Sequence, residues 1–127
     1  MSNHGKFWWN ELVAKDVEAS KSFYKDVVGW EYDAMPMPGG SYTLAKAPNA
    51  EGPSAGMFQM PGEWGDMPPH WVAYICVDDV DDAAAKAEAA GGTVLEKPFD
   101  VEGVGRIAII ADPGGARIGV MTPADSA

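Results

Sequence analysis

Residues 7–14 read FWWNELVA, and the segment that follows at 16–30, DVEASKSFYKDVVGW, has the residue pattern of a helix. The first stretch has aromatic and aliphatic residues on both faces, which predicts a buried strand. Asp16 is a good helix N-cap, and Gly29 suits the left-handed position that ends a helix. The inward stripe predicted for this helix comprises Val17, Ser20, Phe23, Tyr24, Val27 and Val28.

The same pattern returns later in the chain as HWVAYICV at 70–77, followed by DDVDDAAAKAEAAGGT at 78–93. Three pairs of residues share an offset of 63 positions: Asp16 with Asp79, Gly29 with Gly92, and Gly56 with Gly119. A repeat of this length indicates two similar supersecondary units that bury their apolar faces together. Further strands are predicted at 30–37, 41–47, 54–60, 93–99, 106–111 and 116–122.

These elements predict an α+β fold of two βαβββ modules, which form a cupped, mostly antiparallel sheet with the helices outside. The whole chain, 1–127, is predicted to be one domain. Module one covers about 6–60, a linker rich in Gly and Pro covers 61–69, and module two covers about 70–123. The polar residues 1–5 are expected to fray.

Composition excludes several classes of function. The net charge of −10 argues against binding to nucleic acid or to an anionic membrane surface, since both need clustered Lys and Arg. The lone cysteine, Cys76, rules out an internal disulfide framework and is interpreted as a small buried residue. No secretory signal or membrane-spanning run is present, so the expected location is the cytoplasm.

Three segments carry a resemblance to a known family: SFYKDVVGW at 22–30, VDDVDDAAAKAEAAGGTV at 77–94 and VGRIAIIADPGGARIGVM at 104–121. Their order and spacing resemble the glyoxalase/bleomycin-resistance/dioxygenase proteins, the vicinal oxygen chelate superfamily, over about 6–123. The resemblance implies a sheet cupped around a ligand. It also implies a homodimer for a chain with a single domain, and enzymes of the family bind a divalent metal in the cup.

The family's metal ligands come from the first and last strands of both modules. By spacing, the corresponding positions in this sequence are Trp9, Gly56, Val72 and Gly119. None of these side chains offers the O, N or S donor that a divalent metal needs. We therefore expect no metal cofactor at the usual site. A rebuilt site from Glu11, His70 and Tyr74 is the alternative.

Glu11 and His70 are the candidate catalytic residues, together with Tyr74. A carboxylate in an apolar strand must be paired, protonated or open to a cleft. Glu11 is interpreted as the partner of Arg106 or Arg117, as a residue at an exposed strand edge, or as a polar anchor or general base in the pocket. His70 is interpreted either as a rim residue bonded to water or as a proton carrier.

The remaining candidates line the predicted cup. Trp9, Tyr74 and Met121 fall on its inner faces, and Phe58 and Trp64 are placed to close it. Arg106 follows the glycine-containing stretch 103–105, where a loop would let it reach the ligand, and Arg117 alternates with Gly119 on the last strand. The ligand-binding set is Trp9, Glu11, Phe58, His70, Tyr74, Arg106, Arg117 and Met121.

Three functions are compatible with these residues. The first is a metal-independent protein that binds a small organic molecule in an aromatic-lined cup, as the bleomycin-resistance members of the family do. The second is a lyase, isomerase or dioxygenase with a rebuilt metal site, or with acid–base chemistry by Glu11 and His70. The third is an interaction module whose main property is its dimer.

Overall fold

A computed structural model of the chain describes residues 2–37, 40–62, 65–101 and 104–124. These residues form eight strands and two helices: β1 (Phe7–Ala14), α1 (Val17–Val28), β2 (Glu31–Met37), β3 (Gly40–Lys46), β4 (Ala55–Gln59), β5 (His70–Cys76), α2 (Val80–Ala89), β6 (Thr93–Val101), β7 (Gly105–Ala111) and β8 (Arg117–Pro123). Every predicted element is present within two residues of its predicted ends. Four residues with a predicted role lie outside the described residues. They are Pro38 and Gly39 of a predicted turn, Trp64 of the predicted cup, and Gly103 of the loop predicted before Arg106.

The chain divides into two compact units. Unit I is Trp9–Trp71, and unit II is Met1–Trp8 together with Val72–Ala127. In unit I the strands are ordered β2-β3-β4-β1, with β4 parallel to β1 and the other neighbours antiparallel. In unit II the order is β5-β8-β7-β6, again with one parallel pair, β5 and β8. The fold is therefore α+β with mostly antiparallel pairing, as predicted.

The repeat inferred from the sequence reappears in the strand register. Glu11 lies opposite Gly56 in the parallel pair of unit I, and Tyr74 lies opposite Gly119 in that of unit II. Tyr74 lies 63 positions after Glu11, and Gly119 lies 63 positions after Gly56. The two units therefore use equivalent residues at equivalent points of their sheets.

Both helices begin as the sequence predicts. The Asp16 side chain accepts a hydrogen bond from the backbone N–H of Ala19, and the Asp79 side chain accepts one from that of Asp82. Each N-cap satisfies a backbone donor that the first turn of a helix leaves unpaired. Gly29 adopts the left-handed conformation after α1. After α2 that conformation falls on Gly91 rather than on Gly92.

Helix α1 buries less apolar surface than its sequence predicts. Val17 is buried and Tyr24 packs against the core, but Phe23 and Val27 are 58% and 60% exposed. Phe23 and Val27 lie on one flank of α1, about 80–120° around the axis from Val17, so the sheet does not cover them. The predicted six-residue inward stripe is therefore wrong for these flank positions. It is also wrong for Val28, the last residue of α1, which is 49% exposed.

Strand β1 is buried only in its second half. Leu12 and Ala14 join the core of unit I, which also contains Val17, Ala45, Ala55 and Met57. Phe7, at the start of β1, is 71% exposed. Trp8, the next residue, is 43% exposed. The predicted burial of the whole stretch is thus wrong for its first residues.

The N-terminal residues are held rather than frayed. The backbone N–H of Gly5 donates to the Cys76 carbonyl at 2.7 Å, and the Cys76 N–H donates to the Lys6 carbonyl at 2.8 Å. The Asp78 N–H donates to Nδ1 of His4, and Ser2 donates to the Asp78 carboxylate. These bonds make residues 2–6 part of unit II.

None of the helices in the described part of the chain is long and apolar enough to cross a membrane.

Candidate functional site

The face of the unit I strands that points away from α1 carries the candidate residues; we call it the far face of unit I. Neighbouring residues of a strand point to opposite faces. Since Leu12 and Ala14 pack in the helix-side core, Trp9 and Glu11 lie on the far face. The same alternation places three residues of β3 and β4 there: Tyr42, Gly56 and Phe58.

Three side chains of the far face form a hydrogen-bonded chain. Nε1 of Trp9 donates to the Tyr42 hydroxyl oxygen at 3.1 Å, and the Tyr42 hydroxyl donates to Oε1 of Glu11 at 2.7 Å. Indole N–H is a donor only, so the Tyr42 oxygen accepts and its hydrogen points to Glu11. The carboxylate in an apolar strand is therefore paired, and a tyrosine donates to it, whereas an arginine was one of the partners expected from the sequence.

Gly56 leaves room for the Tyr42 side chain. A Cβ placed on Gly56 would overlap the Tyr42 hydroxyl and ring. Tyr42 thus lies directly over the position where the last strand of the module would present a longer side chain. This close approach is the reason a glycine is needed at 56, and it needs no unusual backbone conformation there.

Unit II repeats this arrangement with a different tyrosine. Tyr74 lies opposite Gly119, and a Cβ placed on Gly119 would overlap the Tyr74 ring. Tyr74 is buried, at 4% exposure, and so is Met121 two residues beyond the glycine. In each unit, a tyrosine covers the glycine of the last strand.

The residues at the family's metal-ligand positions do not fit a divalent metal. Gly56 and Gly119 contribute no donor atom, and tyrosine rings occupy the space into which a ligand side chain at either position would extend. Within residues 2–37, 40–62, 65–101 and 104–124, no group of three His, Cys, Asp or Glu side chains could hold a metal ion. We therefore derive no chemistry through a metal.

The predicted residues of unit I fall in two places. Trp9, Glu11 and Phe58 share the far face, where Phe58 lies opposite Val13 in the register of β1 and β4. His70 stands at the start of β5, and its Nδ1 is 2.8 Å from the Pro68 carbonyl oxygen. That bond holds the ring next to the start of its strand, and its partner is a backbone carbonyl rather than the water expected for a rim residue.

Arg106 has different partners from those the sequence suggested. Its Nε and Nη2 donate to the two carboxylate oxygens of Asp81 at 2.8 and 3.0 Å, and Nη1 donates to Asp100 at 3.1 Å. Arg106 lies in β7 itself, in phase with Ala108, which packs on the α2 side. The expectation that a loop carries Arg106 to the ligand is therefore wrong: strand alternation directs it to the first turn of α2.

The ionic contacts of Arg106 shift two pKa values. The hydrogen bond from Arg106 lowers the pKa of the Asp81 carboxyl, and the two carboxylates raise the pKa of the Arg106 guanidinium. A groove of about 430 Å³ lies beside this ion pair, lined by Asp78, Asp79, Asp81, Asp100 and Arg106 among others. Arg106 is paired with Asp81 and Asp100, the Asp79 carboxylate caps α2, and the Asp78 carboxylate accepts from Ser2. We therefore place the candidate site at the tyrosines rather than in this groove.

Two other residues of unit II were singled out in the sequence, Arg117 and Cys76. Arg117 is exposed at the start of β8, in phase with Gly119. Cys76 is buried and unpaired, as predicted. Burial raises the pKa of the Cys76 thiol, so it stays protonated near neutral pH and is a poor nucleophile.

Tyr42 was not among the site residues predicted from the sequence. The signal was present in the alternation of SYTLAK at 41–46, which puts Tyr42 and Leu44 on one face of a strand. Leu44 pairs with Gly56, so Tyr42 is the next residue on that face. Recognising the contact required the register between two strands, which the sequence did not supply.

Comparison with known proteins agrees with this fold. The family described as Glyoxalase/Bleomycin resistance protein/Dioxygenase superfamily matches residues 7–120, nearly the whole chain. The protein therefore belongs to this superfamily, as its three sequence segments had suggested.

Two curated relatives are similar over most of this chain. "Putative glyoxylase CFP32" of Mycobacterium tuberculosis is 41% identical over 121 residues, covering 94% of this chain and 45% of its own length. "Anthracycline biosynthesis protein DnrV" of Streptomyces peucetius is 35% identical over 133 residues, covering 92% of this chain and 48% of its own length. The chain thus spans about half the length of the curated relatives it matches.

A solved structure shares the fold. The Mn(II)-bound glyoxalase of Novosphingobium aromaticivorans superimposes with a TM-score of 0.62 at 23% identity, over 96% of this chain and 40% of that one. At this identity the likeness concerns the fold alone.

Proposed function

We propose that this protein binds a small organic molecule without a metal, and that the ligand lies against the far face of unit I. The observation that carries the proposal is the packing of Tyr42 over Gly56. The Tyr42 ring fills the space in which a metal-ligand side chain at position 56 would lie, and its hydroxyl group is the polar end of this aromatic surface. The cup predicted from the sequence remains part of the proposal, as does a cytoplasmic location.

The composition of the far face supports an aromatic ligand. Trp9, Tyr42 and Phe58 supply flat apolar surface, and Glu11 supplies a single anchored charge. Binding sites for small molecules combine an apolar lining with a few fixed polar groups in this way. The name of the relative DnrV, an anthracycline biosynthesis protein, is compatible with a planar aromatic ligand.

The experiment combines metal analysis with a binding measurement. Protein purified without added metal is expected to contain Mn, Fe, Ni and Zn far below one atom per chain, and to bind 1-naphthylmethanol saturably by calorimetry. Trp9→Ala should weaken this binding about tenfold, since an aromatic contact contributes about 1–1.5 kcal/mol. Trp8→Ala is the matched control, because Trp8 is the preceding residue on the same strand and points to the other face.

Two results would overturn the proposal. One is a near-stoichiometric metal that is lost in Glu11→Ala. The other is equal weakening of naphthylmethanol binding by Trp8→Ala and Trp9→Ala, which would remove the far face as the binding surface.

An enzyme remains the second candidate because of the short Tyr42–Glu11 hydrogen bond. A carboxylate that accepts from a tyrosine resembles the acid–base pairs of proton-transfer enzymes, which would fit a lyase or isomerase. The name of the relative "Putative glyoxylase CFP32" points in the same direction. If a turnover is found, Glu11→Gln should abolish it without loss of stability; unchanged turnover in Glu11→Gln would reject acid–base chemistry by Glu11.

A further inference from the structure

We infer that the far face of unit II is a further binding surface, and that it takes an aliphatic carboxylic acid whose head group pairs with Arg117. The far face of unit II is the side of strands β5 to β8 that points away from α2. The proposed function concerns unit I, so this surface goes beyond it. Three features of unit II carry the inference: which side chains share the face, how open they are, and the state of Arg117.

The strand register gives the far face of unit II an apolar centre. Ala108 packs on the α2 side, so its neighbours Ile107 and Ile109 point away from α2. Residues that lie opposite each other in antiparallel strands share a face. Ile107 lies opposite Phe99 of β6 and opposite Met121 of β8. An apolar row therefore crosses three strands of this face.

The apolar centre is closed on one side and open on the other. Toward β5, the Tyr74 and Met121 side chains are buried, at 4% and 5% exposure. On β7, Ile107 and Ile109 are only half-buried, and Phe99 on β6 is 40% exposed. Partly open apolar side chains beside a buried floor can take the apolar body of a small molecule.

Arg117 lies at one end of this apolar centre. It precedes Gly119 by two residues on β8, so its side chain leaves the same face about 7 Å along the strand. Among the residues that the structure describes, no carboxylate forms an ion pair with the exposed Arg117. Oδ1 of Asp112, in the preceding turn, accepts from two backbone N–H groups of that turn. The guanidinium is therefore available to a ligand.

The charges of the face select an acid and set its orientation. The planar fork of an arginine matches a carboxylate with two parallel hydrogen bonds. Glu96 is exposed on β6 opposite Ile109, about 10 Å across two strands from β8, and it repels a carboxylate at that edge. The head group therefore lies at Arg117 and the apolar body extends over Ile109. The net charge of −10 opposes this only weakly, because salt at 0.15 M screens charges more than about 8 Å away.

The isoleucines of the chain provide a direct test of which face a ligand contacts. All five lie in unit II. Ile75 and Ile110 pack on the α2 side, and Ile118 lies opposite Ile110 and shares that side. In protein labelled at the isoleucine methyl groups, titration with octanoate at pH 7 and 0.15 M salt should shift the NMR signals of Ile107 and Ile109. The signals of the three isoleucines on the α2 side should stay in place.

The head group is tested with a second probe and two variants. Octanoate should bind about fivefold more tightly than 1-octanol, since an exposed ion pair contributes a modest amount. Arg117→Gln should abolish this preference and leave the affinity for 1-octanol within twofold. Lys86→Gln is the matched control, because it removes the same charge from the exposed surface of α2, where Lys86 pairs with Asp82. It should keep the wild-type preference for octanoate.

Several results would overturn the inference. These are equal shifts of the isoleucine signals on both faces, no shift at all, equal affinity for octanoate and 1-octanol, or equal effects of Arg117→Gln and Lys86→Gln. Shifts of Ile107 and Ile109 that depend on protein concentration without any probe would mean that a second copy covers the face. If octanoate moves the indole N–H signal of Trp9 instead, the acid binds at unit I; that result favours the proposed function and rejects this surface. Failure of 1-naphthylmethanol to bind would reject the proposed function and leave the octanoate result standing.

Discussion

Gly56 is the residue whose size decides the far face, because Tyr42 lies over it. We expect Gly56→Ala to lower the free energy of unfolding by about 1–3 kcal/mol, since the added methyl group overlaps the Tyr42 ring and forces it to move. Urea denaturation followed by tryptophan fluorescence measures this loss.

Gly52→Ala is the matched control for this change. Gly52 has open space around its Cβ position and no left-handed backbone, so alanine there should change stability by less than about 0.5 kcal/mol. Equal stability of the Gly56→Ala variant and the wild type would mean that Tyr42 does not pack on this glycine.

Cys76 provides a second test at the residue scale. Burial raises the pKa of its thiol, so the reactive thiolate is scarce and shielded in the folded protein. We expect a thiol reagent such as Ellman's reagent to react at pH 8 at least about tenfold more slowly with native protein than with protein in urea. Similar rates in both states would show that Cys76 is accessible.

At the scale of elements, Arg106 of β7 forms an ion pair with Asp81 in the first turn of α2. Its hydrogen bond lowers the pKa of the Asp81 carboxyl in the folded state below the ordinary value of about 3.9. A lowered folded-state pKa contributes stability that is present above the unfolded pKa and is lost as pH falls through the folded pKa. Wild-type stability should therefore decline below about pH 4, and Asp81→Asn should show a shallower decline.

The comparison needs stability curves at several pH values between 2.5 and 7, obtained by urea denaturation at about 0.1 M salt. Both partners are exposed, so solvent screens the pair and the difference is small. Asp33→Asn, at an exposed carboxylate of β2, is the control and should keep the wild-type slope. If the free energy of unfolding of Asp81→Asn fell with pH as steeply as that of the wild type, the ion pair would not contribute to acid sensitivity.

At the scale of the whole molecule, unit I presents an exposed apolar group formed by Phe23, Val27 and Trp71. Trp71 is 41% exposed and its indole donates to the Tyr24 hydroxyl at 3.1 Å, while Phe23 packs edge-on against the Tyr24 ring. Exposed apolar groups of this kind favour association. We expect a homodimer that covers them, as the sequence analysis proposed.

Light scattering coupled to size-exclusion chromatography tests this expectation. The mass should be about 27 kDa, twice the chain mass of 13.5 kDa, and Val27→Glu should shift it toward the monomer. Ser22→Glu adds the same charge at an exposed polar position of α1 and should leave the dimer intact. A monomer in wild-type protein, or equal behaviour of the two variants, would exclude this surface as an interface.

The sequence by itself determined the elements, their order and the repeat, because the physical causes are local. The carboxylate of Asp16 or Asp79 accepts a hydrogen bond from the backbone N–H three residues later and so caps the helix that begins there. A glycine can end a helix because its backbone readily adopts the left-handed conformation. Strand alternation likewise needs only neighbouring residues, which is why Trp9 and Glu11, two positions apart on one strand, were expected on one face.

Only the tertiary structure decided which side chains meet on that face. Tyr42 and Glu11 are 31 positions apart, and their contact depends on the register of β1, β3 and β4. Arg106 was misplaced for a different reason: it was expected to reach the ligand from a loop, whereas it lies within β7, where alternation puts it on the α2 side with Ala108. FWWNELVA predicted a wall of the site, but the partner of its carboxylate was set by long-range packing that no local pattern encodes.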